Sequence, residues 1–213
     1  AAPADSGVVC QEGVSAREAK YGVEGHAAAA GGAPLALGDR PLVCAGTRMC
    51  QWPDSMVTYL HEDEILFSQD AFGMHLASYE RFADELDPTL LQHEAAKYYA
   101  NILLPLSRFI AKRVEKLAVR GLSLKTIAPD HGPIWRRDAT KIVEQYATWA
   151  AQERTNKAVV AFDTMWASTE RMARAVGEGL AAGGAKTVLF ALSGSHRSDV
   201  ATELLNAGAL LIG

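Results

Sequence analysis

Apolar and polar positions change period several times along the chain, and each change predicts a different element. Leu35-Ala36-Leu37 and Arg40-Pro41-Leu42-Val43 flank Gly38-Asp39, a strand, turn, strand pattern. Met56 to Leu60 and Ile65-Leu66-Phe67 are β-type runs, separated by His61-Glu62-Asp63-Glu64 at hairpin spacing. Ahead of them, Val8-Val9-Cys10 suggests a short strand end. Glu12 to Tyr21 suggests a helix closed by Gly22, and the Ala/Gly-rich stretch Gly25 to Pro34 a loop. From Glu94 the period becomes helical. Tyr98, Ile102, Leu106, Phe109, Ile110, Val114 and Leu117 recur at three- and four-residue steps, and Pro105 is expected to kink or divide that helix. A further helix from about Asp138 to Ala150 sets Ile142, Tyr146 and Trp149 on one side.

Polar Gln152 to Asn156 then reads as a linker, and the pattern changes again. Lys157 to Phe162 is a continuous apolar strand. Ser168 to Ala182 is a helix ending at Gly183-Gly184. Thr187 to Leu192, Asp199 to Ala207 and Gly208 to Ile212 predict strand, helix and strand. Strand and helix alternating on a short period mean a parallel sheet with crossover helices. A domain boundary is therefore expected near residues 151 to 156, between a first domain at 1–150 and a second at 157–213.

Composition narrows the class. The chain has 213 residues, 49% hydrophobic and 22% charged, as in an ordinary globular protein. A net charge of -4 argues against nucleic acid or an anionic membrane as partner. No run of about 18 apolar residues predicts a membrane span. Ala1-Ala2-Pro3 is not the start of a signal peptide and is expected to be a processed or internal terminus. Cys10, Cys44 and Cys50 lack CxxC spacing and read as buried or incidental thiols, which suits a reducing cytoplasm.

Chemistry concentrates at three places. Asp70-Ala71-Phe72-Gly73-Met74-His75 follows the run Ile65 to Ser68, and Pro129-Asp130-His131-Gly132 follows Leu124 to Ala128. A carboxylate and an imidazole on loops behind strands suit a borderline transition metal, although two donors are too few to complete a site. The third place is the loop of Asp163, Thr164, Met165, Trp166, Ala167, Ser168 and Thr169, between a strand and a helix. It lacks the glycines of a Walker or dinucleotide fingerprint. Local chemistry leaves two readings open there: a mononucleotide phosphate held by Thr164, Ser168 and Thr169, or Ser168 or Thr169 merely capping the helix. His75 suits a surface or core role better than a supporting contact to the metal site. Asp54 and Asp130 suit turns, Trp52 and Trp135 packing, and Glu62 to Glu64 a solvated turn. His26, His61, His93 and His196 have no partner at ligand spacing.

Five stretches together carry a resemblance: Gln51-Trp52-Pro53-Asp54-Ser55-Met56, Leu66 to His75, Lys97 to Leu103, Ile127 to Arg136, and Asp163-Thr164-Met165-Trp166. In order and spacing they resemble the flavodiiron proteins (A-type flavoproteins) over nearly the whole chain. The resemblance implies the C-terminal half of a metallo-β-lactamase-like αββα sandwich, its N-terminal half missing, followed by the first βαβαβ part of a flavodoxin-like sheet, its C-terminal part missing. It implies FMN at residues 164–169, two non-haem irons, and reduction of O2 to water, of NO to N2O, or both. It also implies a rubredoxin-like or other electron donor and a head-to-tail homodimer. Asp70 matches the carboxylate that bridges the irons and His131 the last histidine ligand. Gln51 stands where the family has a further histidine ligand, and a neutral amide is a poorer iron ligand than imidazole. No HxExDH cluster, the family's source of the remaining ligands, occurs in the chain. A metal-impaired or regulatory relative without turnover, a zinc-dependent metallo-β-lactamase-like hydrolase and a folding-impaired fragment are the alternatives.

Overall fold

The computed structural model describes residues 8, 9, 11–22, 27, 28, 34–119 and 121–213. At its start, β1 (Val8–Val9) pairs in parallel with β2 (Ala27–Ala28), and α1 (Gln11–Tyr21) ends at Gly22 with φ +60°. The loop expected from Gly25 to Pro34 is thus interrupted. Ala27–Ala28 is strand, and Pro34 opens β3 (Pro34–Leu37), an edge position where a missing N–H is tolerated. Cys10, Gly25, His26 and residues 29–33 lie outside the described residues.

The main sheet has the order β3, β4 (Arg40–Gly46), β5 (Met56–Leu60), β6 (Ile65–Gln69), β7 (Thr126–Pro129). The first four strands are antiparallel neighbours, and β7 runs parallel to β6. The Gly38-Asp39 turn and the four-residue turn before Ile65 form where the pattern puts them. Tyr59 pairs with Leu66 and Leu66 with Ile127, so all three point to one face. That face is buried, whereas Phe67 on the other is 45% exposed.

Helices α2 (Pro88–Tyr98), α3 (Ser107–Val119) and α4 (Thr140–Ala151) contribute to the same core through Leu91, Ala95, Tyr98, Ile110, Val114, Ile142 and Tyr146. The first begins six residues before the expected Glu94. Asp87 accepts the N–H groups of Thr89 and Leu90, both at 2.9 Å, and Pro88 takes the first helical position. Pro105 does divide the helix: a π turn at Tyr99–Leu103 and a 3-10 turn at Leu104–Leu106 lead into α3. The helix expected from Asp138 starts at Thr140, because Asp138 is left-handed at φ +52°.

A second sheet of three parallel strands has the order β10 (Ala209–Ile212), β8 (Lys157–Phe162), β9 (Lys186–Ala191). Helix α5 (Ser168–Ala182) joins β8 to β9, and α6 (Arg197–Glu203) with a 3-10 turn at Leu204–Asn206 joins β9 to β10. The last helix starts two residues before the expected Asp199, where His196 Nδ1 accepts the Ser198 N–H at 3.3 Å. All six residues of β8 are buried, which explains its unbroken apolar run. Its one charged member, Lys157, is paired with Glu203 and bonded to Asn206. Leu205 enters the core of the main sheet, so the two sheets are packed through the end of α6.

Two glycines make opposite predictions. A Cβ on Gly208 would lie 2.5 Å from the Thr155 carbonyl oxygen, a backbone atom, whereas one on Gly179, inside α5, meets nothing within 4 Å. In urea denaturation, Gly208→Ala is expected to lower the unfolding free energy by about 2 kcal/mol. Gly179→Ala is expected to raise it by about 0.5–1 kcal/mol.

Candidate metal centre

Because β6 and β7 are parallel neighbours with Gln69 opposite Pro129, the residues after them leave the same end of the sheet side by side. Asp70 Oδ1 consequently lies 3.0 Å from His131 Nε2. The two loops touch through backbone. A Cβ on Gly73 would come within 2.8 Å of the His131 carbonyl oxygen, and one on Gly132 (φ +79°) within 2.8 Å of Met74. The Met74 N–H donates to the His131 carbonyl at 3.3 Å and the Asp130 N–H to the Gln69 carbonyl at 2.8 Å.

The Asp70 loop is tightly bent, with Gln69 at φ +53° and Phe72 at φ +67°. Ser68 Oγ donates to the Ala71 carbonyl at 2.6 Å. The Phe72 N–H donates to Tyr146 Oη at 2.9 Å, and Trp135 Nε1 donates to the Phe72 carbonyl at 2.8 Å. Tyr146 and Trp135 therefore hold the loop from α4 and from the segment after His131. Sequence reasoning gave both only packing roles; a buried aromatic with a polar tip is the signal that points further.

Gln51 joins the same cluster, at φ +99°. Its amide lies between the Tyr98 hydroxyl and the Asp70 carboxylate. Only the orientation with the nitrogen toward them avoids setting the amide oxygen against two carboxylate oxygens. Gln51 Nε2 then donates to Tyr98 Oη at 3.0 Å and to Asp70 Oδ1 and Oδ2 at 3.2 and 3.1 Å. The His75 ring meets the Tyr98 and His131 rings edge-on, at centroid distances of 4.9 and 5.5 Å. Burial raises the Asp70 carboxyl above its ordinary range, opposed by His131. Burial, then the Asp70 charge, raises the Tyr98 phenol. Trp52 does not pack as expected: it is 61% exposed, on the tight turn that follows Gln51. Cys44 and Cys50 are buried free thiols, and burial pushes Cys50 up to about 11. Among the described residues no three His, Cys, Asp or Glu side chains converge as a metal set; the Asp70 carboxylate is in direct hydrogen-bonding contact with one imidazole, His131, and one amide, Gln51.

The capping role that the sequence allowed in the loop before α5 is not taken up. Ser168 and Thr169 are the first residues of the helix, not its cap. The capping residue is left-handed Ala167 (φ +58°), and no side chain caps the end. Thr164 Oγ1 is buried without a hydrogen-bond partner, while Met165 and Trp166 are 85% and 84% exposed.

No family model matches the chain. A nitric oxide reductase of Moorella thermoacetica is 50% identical over 182 residues, covering 85% of this chain and 46% of that protein. The structure of rubredoxin oxygen:oxidoreductase from Desulfovibrio gigas superposes with a TM-score of 0.93 at 35% identity, over 97% of this chain and 52% of that one. The flavodiiron protein of Giardia intestinalis superposes with a TM-score of 0.88 at 33% identity, over 96% and 51%. The chain belongs to the flavodiiron family. It spans about half the length of the curated relatives it matches. As in those flavodiiron structures, part of a metallo-β-lactamase-like sandwich is followed by flavodoxin-like parallel strands.

Two measurements test the cluster's architecture. Tyr146→Phe strands the buried Phe72 N–H and is expected to lower the unfolding free energy by about 1–3 kcal/mol in urea denaturation. Asp70 carries the opposite sign. With its carboxyl raised in the fold, stability is fully present below the ordinary value of 3.8 and is lost as pH rises through the folded pKa. Metal-free Asp70→Asn should therefore melt higher than the natural protein at pH 7 and lose that advantage below pH 3.8; equal melting at pH 7 would contradict the burial effect.

Proposed function

We propose that this chain supplies iron-facing and flavin-facing surfaces of a flavodiiron oxidoreductase that reduces O2 to water, NO to N2O, or both. Residues 1–150 form its metallo-β-lactamase-like domain and 157–213 its flavodoxin-like domain. The observation that carries this reading is the 3.0 Å approach of Asp70 and His131 from adjacent parallel strands. When bound, FMN supplies electrons and a pair of non-haem irons the place where the substrate is reduced.

The loop before α5 fits the flavin's phosphate. Thr164 Oγ1 is a buried hydroxyl lacking a partner, Ser168 and Thr169 are not spent on capping, and the first N–H groups of α5 have no intrahelical acceptor. Thr164, Ser168 and Thr169 would hold the phosphate, with Met165, Trp166 and Ala167 around the cofactor. The fit to iron is partial. Asp70 and His131 are a donor pair of the right chemistry and would hold iron from this side. Gln51, presenting an amide nitrogen, does not fit as a ligand. His75 supports the His131 ring by its edge contact. Tyr146 and Trp135 keep the Asp70 loop in the bend that points the carboxylate at His131.

The partners that suit this reading are O2 or NO, a rubredoxin-like or other electron donor, and a second subunit placed head to tail. The location that suits it is the cytoplasm. No helix among the described residues is long and apolar enough to cross a membrane. Relatives named as a nitric oxide reductase and a rubredoxin-oxygen oxidoreductase weigh against a zinc hydrolase. The test is direct. The intact protein, expressed with iron and FMN and given a reductant, should consume O2 or NO; consumption of neither overturns the reading. Thr164→Ala should weaken FMN binding about tenfold, the cost of one hydrogen bond to a charged group.

A further inference from the structure

Among the described residues, Gln51 is the one polar side chain hydrogen-bonded to Asp70 that the reaction does not account for. Its two amide hydrogens have separate acceptors. One points to Tyr98 Oη at 3.0 Å; the other is shared between the two Asp70 oxygens at 3.2 and 3.1 Å. With His131 Nε2 at 3.0 Å from Oδ1, both oxygens of the carboxylate already have donors supplied by protein. The amide turns the positive end of its dipole toward Asp70, where a metal ligand would turn a lone pair toward the metal. A cation approaching those oxygens meets N–H groups.

The backbone keeps the amide there. Gln51 is held at φ +99° inside a tight turn, where the Met49 N–H donates to the Trp52 carbonyl at 2.9 Å and the Cys50 N–H to the Thr47 carbonyl at 2.9 Å. A left-handed backbone at a residue other than glycine persists only where its surroundings fix it. Buried Cys50 and Ser55 are those surroundings: Ser55 Oγ donates to the Cys50 carbonyl at 3.3 Å and accepts the Trp52 N–H at 3.1 Å. On the far side, Tyr98 is buried in α2 and cannot follow the amide if it swings away.

We propose that Gln51 is a positioning residue that fastens the Asp70 carboxylate in the metal-free protein and competes with metal for it, and is not itself a ligand. The proposal rests on reading Asp70 and His131 as metal donors. It predicts that removing the amide helps metal binding, whereas a ligand's removal would harm it. The probe is Co2+ alone, titrated into the full chain and followed by calorimetry and by the metal's visible absorption. Gln51→Ala should bind Co2+ at least threefold more tightly than the natural chain, and Gln51→His more than tenfold more tightly. Weaker binding by Gln51→Ala overturns the proposal. Tyr98→Phe, which removes the amide's other acceptor and leaves Gln51 in place, should also tighten binding; a loss of affinity there counts against competition.

A second readout needs no metal. In a double-mutant cycle on metal-free protein, Gln51→Ala and Asp70→Ala should be non-additive in melting temperature, because each removes the same contact. Additive shifts overturn the fastening. If no variant takes up Co2+, Gln51→His included, the metal reading of Asp70 and His131 falls, and the cycle alone decides whether the amide holds the carboxylate.

Discussion

The candidate centre depends on how one peptide is held. Phe72 sits at φ +67°, with its N–H on Tyr146 Oη and its carbonyl receiving Trp135 Nε1. Neither backbone group could otherwise be satisfied in that buried bend, and each orphan would cost more than a surface hydrogen bond returns. Two residues earlier in the chain stands Asp70. The clamp draws on three parts of the fold: the end of β6, the helix that carries Tyr146, and the segment that brings Trp135 back beside Ile127. With the Phe72 peptide fixed, Gly73 can lie against the His131 carbonyl and the two loops interlock. The Asp70 to His131 distance is thus set by packing behind the loops.

The second sheet is tied to this arrangement. Leu205 is buried in the main core, Lys97 pairs with Asp199 at 2.9 Å, and Asn101 Nδ2 donates to the Ser198 carbonyl at 3.3 Å. The exposed ion pair contributes little by itself; the apolar contact carries the packing. Lys157 anchors the other side of the same helix through Glu203 and Asn206. Where α2 and the π turn meet the start of α6 is a cleft of about 250 Å³ lined by His75, Lys97, Tyr98, Asn101 and Ser198, and His75 and Tyr98 belong to the Asp70 cluster as well. The overlap lies at the junction of α2 with the π turn at Tyr99–Leu103. Tyr98, the last residue of α2, meets the Gln51 amide, while Asn101 in the π turn donates to the Ser198 carbonyl of α6.

Much of this was legible in the chain. Strands with alternating or unbroken apolar runs fell where expected, β8 most closely, because burial on one face or both writes a period into sequence. Pro105 announced a broken helix. The start of α2 was missed although Asp87-Pro88 is a helix-start signal, because the apolar period does not become regular until Glu94. Asp70 and His131 could be paired from their equivalent positions behind strands. The role of Tyr146 could not be, since it acts across 74 residues through a hydroxyl that leaves no periodic mark. Left-handed backbone at Gln51, Gln69 and Phe72 was equally hidden. Glycine advertises such a conformation, and these residues adopt it only because their neighbours compel it.

Burial sets the terms on which Asp70 is kept. A carboxylate raised above its ordinary range gives up folding stability at neutral pH, so its retention is not explained by the stability of this chain. Its neighbours show how the charge is tolerated. The imidazole of His131 opposes the burial effect, and the Gln51 amide supplies hydrogen bonds that water would otherwise give. A histidine at position 51 would offer the carboxylate at most one N–H and keep a lone pair for metal. The glutamine offers it one N–H shared between both oxygens, gives the other to Tyr98, and turns its own oxygen away. With the glutamine in place the protein itself supplies donors to both Asp70 oxygens, while the strands, the interlocked glycines and the Phe72 clamp hold the carboxylate in position.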